Sequence, residues 1–94
     1  MYPFKQVKIS GHLIREFSKD ANPGSLIWHR DRNSRTVRVL EGIGWLLQMD
    51  NQVPVLMEAG DQHYIPENTY HRVIMGSTNL ILEINEDSLE KVKT

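Results

Sequence analysis

The chain contains no cysteine, which excludes both a disulfide framework and thiolate metal sites. It also lacks an excess of either charge: eleven Lys plus Arg stand against twelve Asp plus Glu, a formal net charge of -1. Domains that grip nucleic acid usually carry a basic excess on one face, and no such footprint stands out. No apolar run is long enough to span a bilayer, and the opening MYPFKQVK has none of the apolar core of a signal peptide. The expectation is a soluble cytoplasmic protein with neither a nucleic-acid nor a membrane partner. No internal repeat and no low-complexity segment occurs. Ser25 and Ser34 lie in no motif that would activate a hydroxyl nucleophile. His29-Arg30-Asp31 spells the catalytic tripeptide of protein kinases, but the chain has neither the length nor the other parts that chemistry needs.

What is present is strand signal. At 94 residues a single small core is feasible without covalent staples, so residues 1–94 read as one domain. Phe4 to Ile9 and His12 to Phe17 alternate loosely, and Lys19 to Gly24 is a dense turn cluster. Ser25 to Asp31 reads as the next strand, followed by a polar turn at Arg32-Asn33-Ser34. Arg35 to Glu41 alternates most clearly, with Thr36, Arg38 and Leu40 on one face and Arg35, Val37 and Val39 on the other. Trp45 to Met49, Val53 to Met57, Gln62 to Ile65, Tyr70 to Met75 and Leu80 to Ile84 complete the set. The charged tail, residues 85–94, reads as a short helix or as disordered. Eight or nine short strands at regular spacing predict an all-β sandwich or barrel.

The segment GDQHYIPENTYH, Gly60 to His71, is the most specific stretch. Gly60-Asp61 predicts a tight turn, with the Asp61 side chain capping it. Pro66 cannot donate to a ladder and so ends the strand before it. Asn68 tolerates a left-handed backbone, which suits a second turn ahead of the strand carrying His71. A proline-bracketed turn of this kind aims an imidazole from a fixed strand position.

In register, Gly60, Pro66 and His71 resemble the second motif of the cupin superfamily: a glycine, five residues, a proline, and a histidine five positions later. Asn68 stands where that family usually has glycine, and Met75 where it often has asparagine. Upstream, Val39 to Gly42 resembles the strand end and turn of the first cupin motif. Counting back from Gly42 puts His29 at the first ligand histidine, Asp31 at the second, and Arg35 at the position usually held by glutamate. Gly24 lies one residue out of step with the leading glycine. The resemblance spans about residues 24–84. It implies a small jelly-roll, or double-stranded β-helix, barrel that pairs as a homodimer through edge strands.

Alternation along a strand would put His29 and Asp31 on one face, and His71 from a neighbouring strand would complete a two-histidine, one-carboxylate set. Iron, manganese, nickel or zinc suits such ligands. Arg35 opposes that arrangement, because a guanidinium only donates hydrogen bonds and stays charged. An Arg35–Asp31 ion pair would then take the metal's place. His29, His71 and Arg35, with His63 at the mouth, would instead form a donor-rich pocket for a small anionic molecule. His12 has no motif context and reads as structural. Trp28, Trp45, Tyr64 and Tyr70 read either as cavity lining or as core. The expected function is therefore a small cupin holding a divalent metal, a small anion, or both. A metal-free binding or structural dimer is the alternative, and whether the chain is an enzyme stays open.

Overall fold

The structure, a computed structural model, describes residues 4–86. Eight strands run through them: β1 (Phe4–Ile9), β2 (His12–Phe17), β3 (Arg35–Glu41), β4 (Leu46–Met49), β5 (Val55–Leu56), β6 (Gln62–Ile65), β7 (His71–Ile74) and β8 (Leu80–Glu86). All pairings are antiparallel. One sheet has the order β1-β2-β8-β3-β6 and the other β5-β4-β7. The two sheets share one core, so the architecture is an all-β jelly roll.

Local chemistry explains the punctuation. Ser10 and Gly11 both take positive φ, 49° and 83°, which lets β1 turn directly into β2. β6 ends at Ile65, immediately before Pro66, and Asn68 adopts φ 58°. Asp61 closes its turn as expected, its Oδ2 accepting from Glu58 N–H at 3.0 Å.

The inner face of the larger sheet follows from period-two alternation. On β3 it carries buried Arg35, Val37 and Val39, with Thr36 and Arg38 turned away. Leu82 of β8 stands between Val39 of β3 and Arg15 of β2, and Ile84 between Val37 and Leu13. Trp45 and Leu47 enter the same core from the smaller sheet, and the rings of Phe17 and Trp45 lie 5.8 Å apart. Trp45 is fully buried, and its Nε1–H donates to the Thr78 carbonyl at 2.6 Å. That bond satisfies the one polar atom such a ring brings inside.

Two expectations need correction. Residues 25–31 form no extended strand. Pro23–Ser25 is a single 3-10 turn, held by Asn22 Oδ1 accepting from Gly24 N–H at 2.9 Å, and only His29 makes an isolated bridge. An Asx turn with proline in it offers the backbone an alternative to the ladder. The tail also begins later than expected: Asn85 and Glu86 extend β8, pairing with Thr36 and Arg35. The remainder of the tail, 87–94, lies outside the described residues. Among the described residues, no helix is long and apolar enough to cross a membrane.

Candidate metal centre and pocket

His29 and His71 form a reciprocal bridge. His29 N–H donates to the His71 carbonyl at 3.0 Å, and His71 N–H donates to the His29 carbonyl at 2.8 Å. Directly opposed residues in an antiparallel pair project to one side, so the two rings meet, with centroids 4.3 Å apart. The turn after Pro66 locks the other flank. Asn68 N–H donates to the Asp31 carbonyl at 2.7 Å, and Glu67 N–H to Ser34 Oγ at 2.9 Å. The two sequence segments that resemble cupin motifs are thus stapled together by backbone hydrogen bonds.

The imidazole tautomers follow from their partners. Nδ1 of His71 lies 2.8 Å from the Thr69 carbonyl, and Nδ1 of His29 lies 3.1 Å from the Ile27 carbonyl. A carbonyl oxygen only accepts, so each Nδ1 carries a proton, and the neutral form of a ring so held presents its lone pair at Nε2. Burial holds the His71 imidazole below its ordinary value. The nearby His29 and Arg35 push it the same way, against the Thr69 carbonyl and Asp31. His71 is therefore neutral at neutral pH, the form that binds metals.

Asp31 Oδ2 lies 3.4 Å from His71 Nε2 and, though buried, has no hydrogen-bond partner. One ligand atom from each of His29, Asp31 and His71 falls within 4.8 Å of the others. A nitrogen and an oxygen sharing a tetrahedral zinc at usual bond lengths would be about 3.4 Å apart. Two imidazoles with Nδ1 engaged by carbonyls, and an orphaned carboxylate oxygen, fit a divalent cation. The backbone carbonyls at Nδ1 are the outer partners that orient such ligands.

Arg35 is close but otherwise engaged. Its Nη2 is 3.6 Å from Asp31 Oδ1, and it also pairs with the carboxylate of Glu86. The anticipated Arg35–Asp31 contact exists as the looser of the two, because β3 and β8 set Arg35 directly opposite Glu86.

A cavity of about 420 Å³ opens beside these groups, lined by His29, Asp31, Arg35 and His71 at one end. Its other walls are mostly apolar, including Phe17, Leu47, Met57, Ile65 and Leu82. The size and the few convergent polar groups are those of a small-molecule site. His63 is not among the lining residues. It stands opposite Val37, and its buried Nε2 makes no hydrogen bond. His12 is exposed at the start of β2, beside Asn85. None of the four aromatic candidates lines the cavity: Trp45 belongs to the core, while Trp28, Tyr64 and Tyr70 are exposed. Trp28 and Tyr70 instead stack under Arg72 and Arg30.

Two residues of the site escape sequence reasoning. Glu86 falls in what reads as a tail. Arg15 lines the cavity, and its signal is visible in retrospect, because Leu13, Arg15 and Phe17 share one strand face.

No protein-family model and no curated protein matches the sequence. Solved structures do. HppE in its cobalt(II) form with Tris matches at TM-score 0.72 and 16% identity over 93% of this chain and 55% of its own. A cupin-2 domain protein from Shewanella frigidimarina matches at TM-score 0.63 and 16% identity, covering 89% of this chain and 79% of that one. A DMSP lyase matches at TM-score 0.67 and 15% identity, over 78% of this chain and only 35% of its own. The chain thus spans about a third of the lyase and about half of HppE. These likenesses show the fold alone, a cupin-type fold shared with the Shewanella cupin-2 domain protein.

Proposed function

We propose that this small cupin-fold protein holds one divalent first-row metal through His29 Nε2, Asp31 Oδ2 and His71 Nε2, and presents it to a small molecule in the adjoining cavity. The observation that carries this reading is the facing pair of acceptors, Asp31 Oδ2 and His71 Nε2, 3.4 Å apart with no donor between them. A buried, unpartnered carboxylate oxygen this close to a second acceptor is unfavourable unless a cation or a proton sits between them, and burial of His71 opposes the proton. HppE, similar in fold, is a metal protein in its cobalt(II) and iron(II) structures, which supports the same use of the fold here.

A bound metal would supply Lewis acidity and open coordination positions. The chain's own residues do the rest. The carbonyls of Ile27 and Thr69 hold the imidazoles in the ligating tautomer. Glu86 neutralises Arg35 beside the site, and the apolar walls keep water off one side. Metal analysis of untagged protein, before and after reloading, tests the reading. About one metal per chain is expected for the wild type and none for His71→Ala. Absence of metal from the reloaded wild type would sink it.

The Arg35–Asp31 contact at 3.6 Å favours a second reading, in which the ion pair replaces the metal. Under it, removing the Arg35 charge would not raise metal affinity. The proposal also includes a homodimer, supported by exposed Val7 and Ile9 on the edge strand β1, and sedimentation equilibrium tests that.

A further inference from the structure

We infer that the cavity receives a small organic carboxylate with an apolar body, and that Arg15 grips its charged head. The inference deepens the small-molecule part of the reading above and does not depend on the metal.

Arg15 occupies an inward position of β2, flanked by Leu13 and Phe17 and opposite Leu82. A cation on that face is costly unless something compensates it. Its Nε and Nη2 both donate to a neutral acceptor, Gln6 Oε1, at 2.8 and 2.6 Å. The guanidinium carbon Cζ sits over the Phe4 ring, 3.9 Å from its centroid. Among the described residues, no carboxylate lies within ion-pair distance of Arg15 and its Nη1 makes no hydrogen bond. The contrast is with Arg35, the other guanidinium lining the cavity, which Glu86 and Asp31 already neutralise.

Burial and nearby Arg35 lower Arg15 to about 10, against the opposing pull of Asp31 and Glu86 at longer range, so it stays charged at neutral pH. Gln6 and Phe4 fix the orientation of the fork and leave its outer edge for a planar anion, the geometry that pairs guanidinium with carboxylate. Apart from Ser25 and the His29, Asp31, Arg35 and His71 cluster, the remaining wall is apolar, with Phe17, Leu26, Met57 and Ile84. Head and body are thereby specified together: one carboxylate on an apolar frame that fits about 420 Å³.

The test is calorimetric titration of the whole chain, stripped with a chelator and separately loaded with zinc(II). The probes are hexanoate and benzoate, against the neutral hexanamide and benzamide. At least one acid is expected to bind in both states, and its amide about 10- to 100-fold more weakly. Arg15→Gln should lower acid affinity by a similar factor while leaving amide binding unchanged and without weakening zinc(II) binding, since it removes a cation near Asp31. Arg15→Lys, which keeps the charge without the fork, should fall between. Should Arg15→Gln fail to fold by circular dichroism, the wild-type acid-to-amide ratio and the Arg15→Lys value decide. Amides binding as well as acids, no saturable binding of either acid, or a folded Arg15→Gln with unchanged acid affinity would overturn the inference. Loss of zinc(II) binding with the acid preference intact would remove the metal reading alone.

Discussion

Nε2 of His71 faces Oδ2 of Asp31 across 3.4 Å, and the Thr69 carbonyl, by holding the proton at Nδ1, leaves both atoms as acceptors. Asp31→Asn would supply a donor there. The amide nitrogen can then hydrogen-bond His71 Nε2, and Arg35 keeps Glu86 as its partner. The metal-free variant should melt at or above the wild-type temperature, with a gain of about 1 kcal/mol at most. Its metal affinity should fall by at least about tenfold, since the ligand charge is gone. Paired thermal melts and metal titrations check both directions.

Arg35 lies close enough to Asp31 to oppose a cation electrostatically. Arg35→Met removes that charge and leaves Glu86 negative. Metal affinity should then rise, by about tenfold if the effective dielectric is that of a partly buried site. Folding stability should drop by about 1–3 kcal/mol from the lost charged hydrogen bond. If metal affinity falls or stays level while the variant folds, the ion-pair reading gains.

The pH response of the metal-free protein has a definite sign. The folded-state value of His71 is lowered, chiefly by burial, so the unfolded chain binds the proton more readily. Stability is full above the unfolded value, about 6.5, and falls as the pH drops below it. Urea unfolding at about pH 7.5 and about pH 5 should show the loss, and His71→Asn should flatten it. Metal loading should steepen the same dependence, because binding needs neutral imidazoles.

Gly76 offers a test of packing distant from the site chemistry. A Cβ added there would lie 2.6 Å from the Trp45 backbone nitrogen and press on the Ile43 carbonyl. Both obstacles are backbone and cannot rotate aside. Gly76→Ala should destabilise by about 3 kcal/mol, read from chemical denaturation.

Much of the site is legible along the chain because it rests on short-range rules. Pro66 ends β6 for want of a donor, Asn68 turns left-handed, and His71 begins β7. The alternation of Arg35, Val37 and Val39 holds residue by residue. Arg15 is harder to see. A charged residue in a loosely alternating strand reads as solvated, and only the placement of β8 beside β2 shows that its face is the inner one. Residues 25–31 mislead for the opposite reason. Their composition suits a strand, but the Asn22–Gly24 turn takes the backbone out of the ladder until His29.

The resemblance to the cupin motifs implies that His29, Asp31 and His71 belong together; by itself the sequence determines an all-β chain and the turns that delimit its later strands. These depend on φ preferences, missing donors and period-two alternation, all of which act within a few residues. Tertiary structure alone decides the charge balance around those three side chains. Arg35 meets Glu86 only because β3 pairs with β8, 51 residues along the chain, and Arg15 enters the same cavity only because β2 lies on β8's other side. Partners brought together by strand order leave no local pattern, since their spacing is set by the sheet and not by the chain.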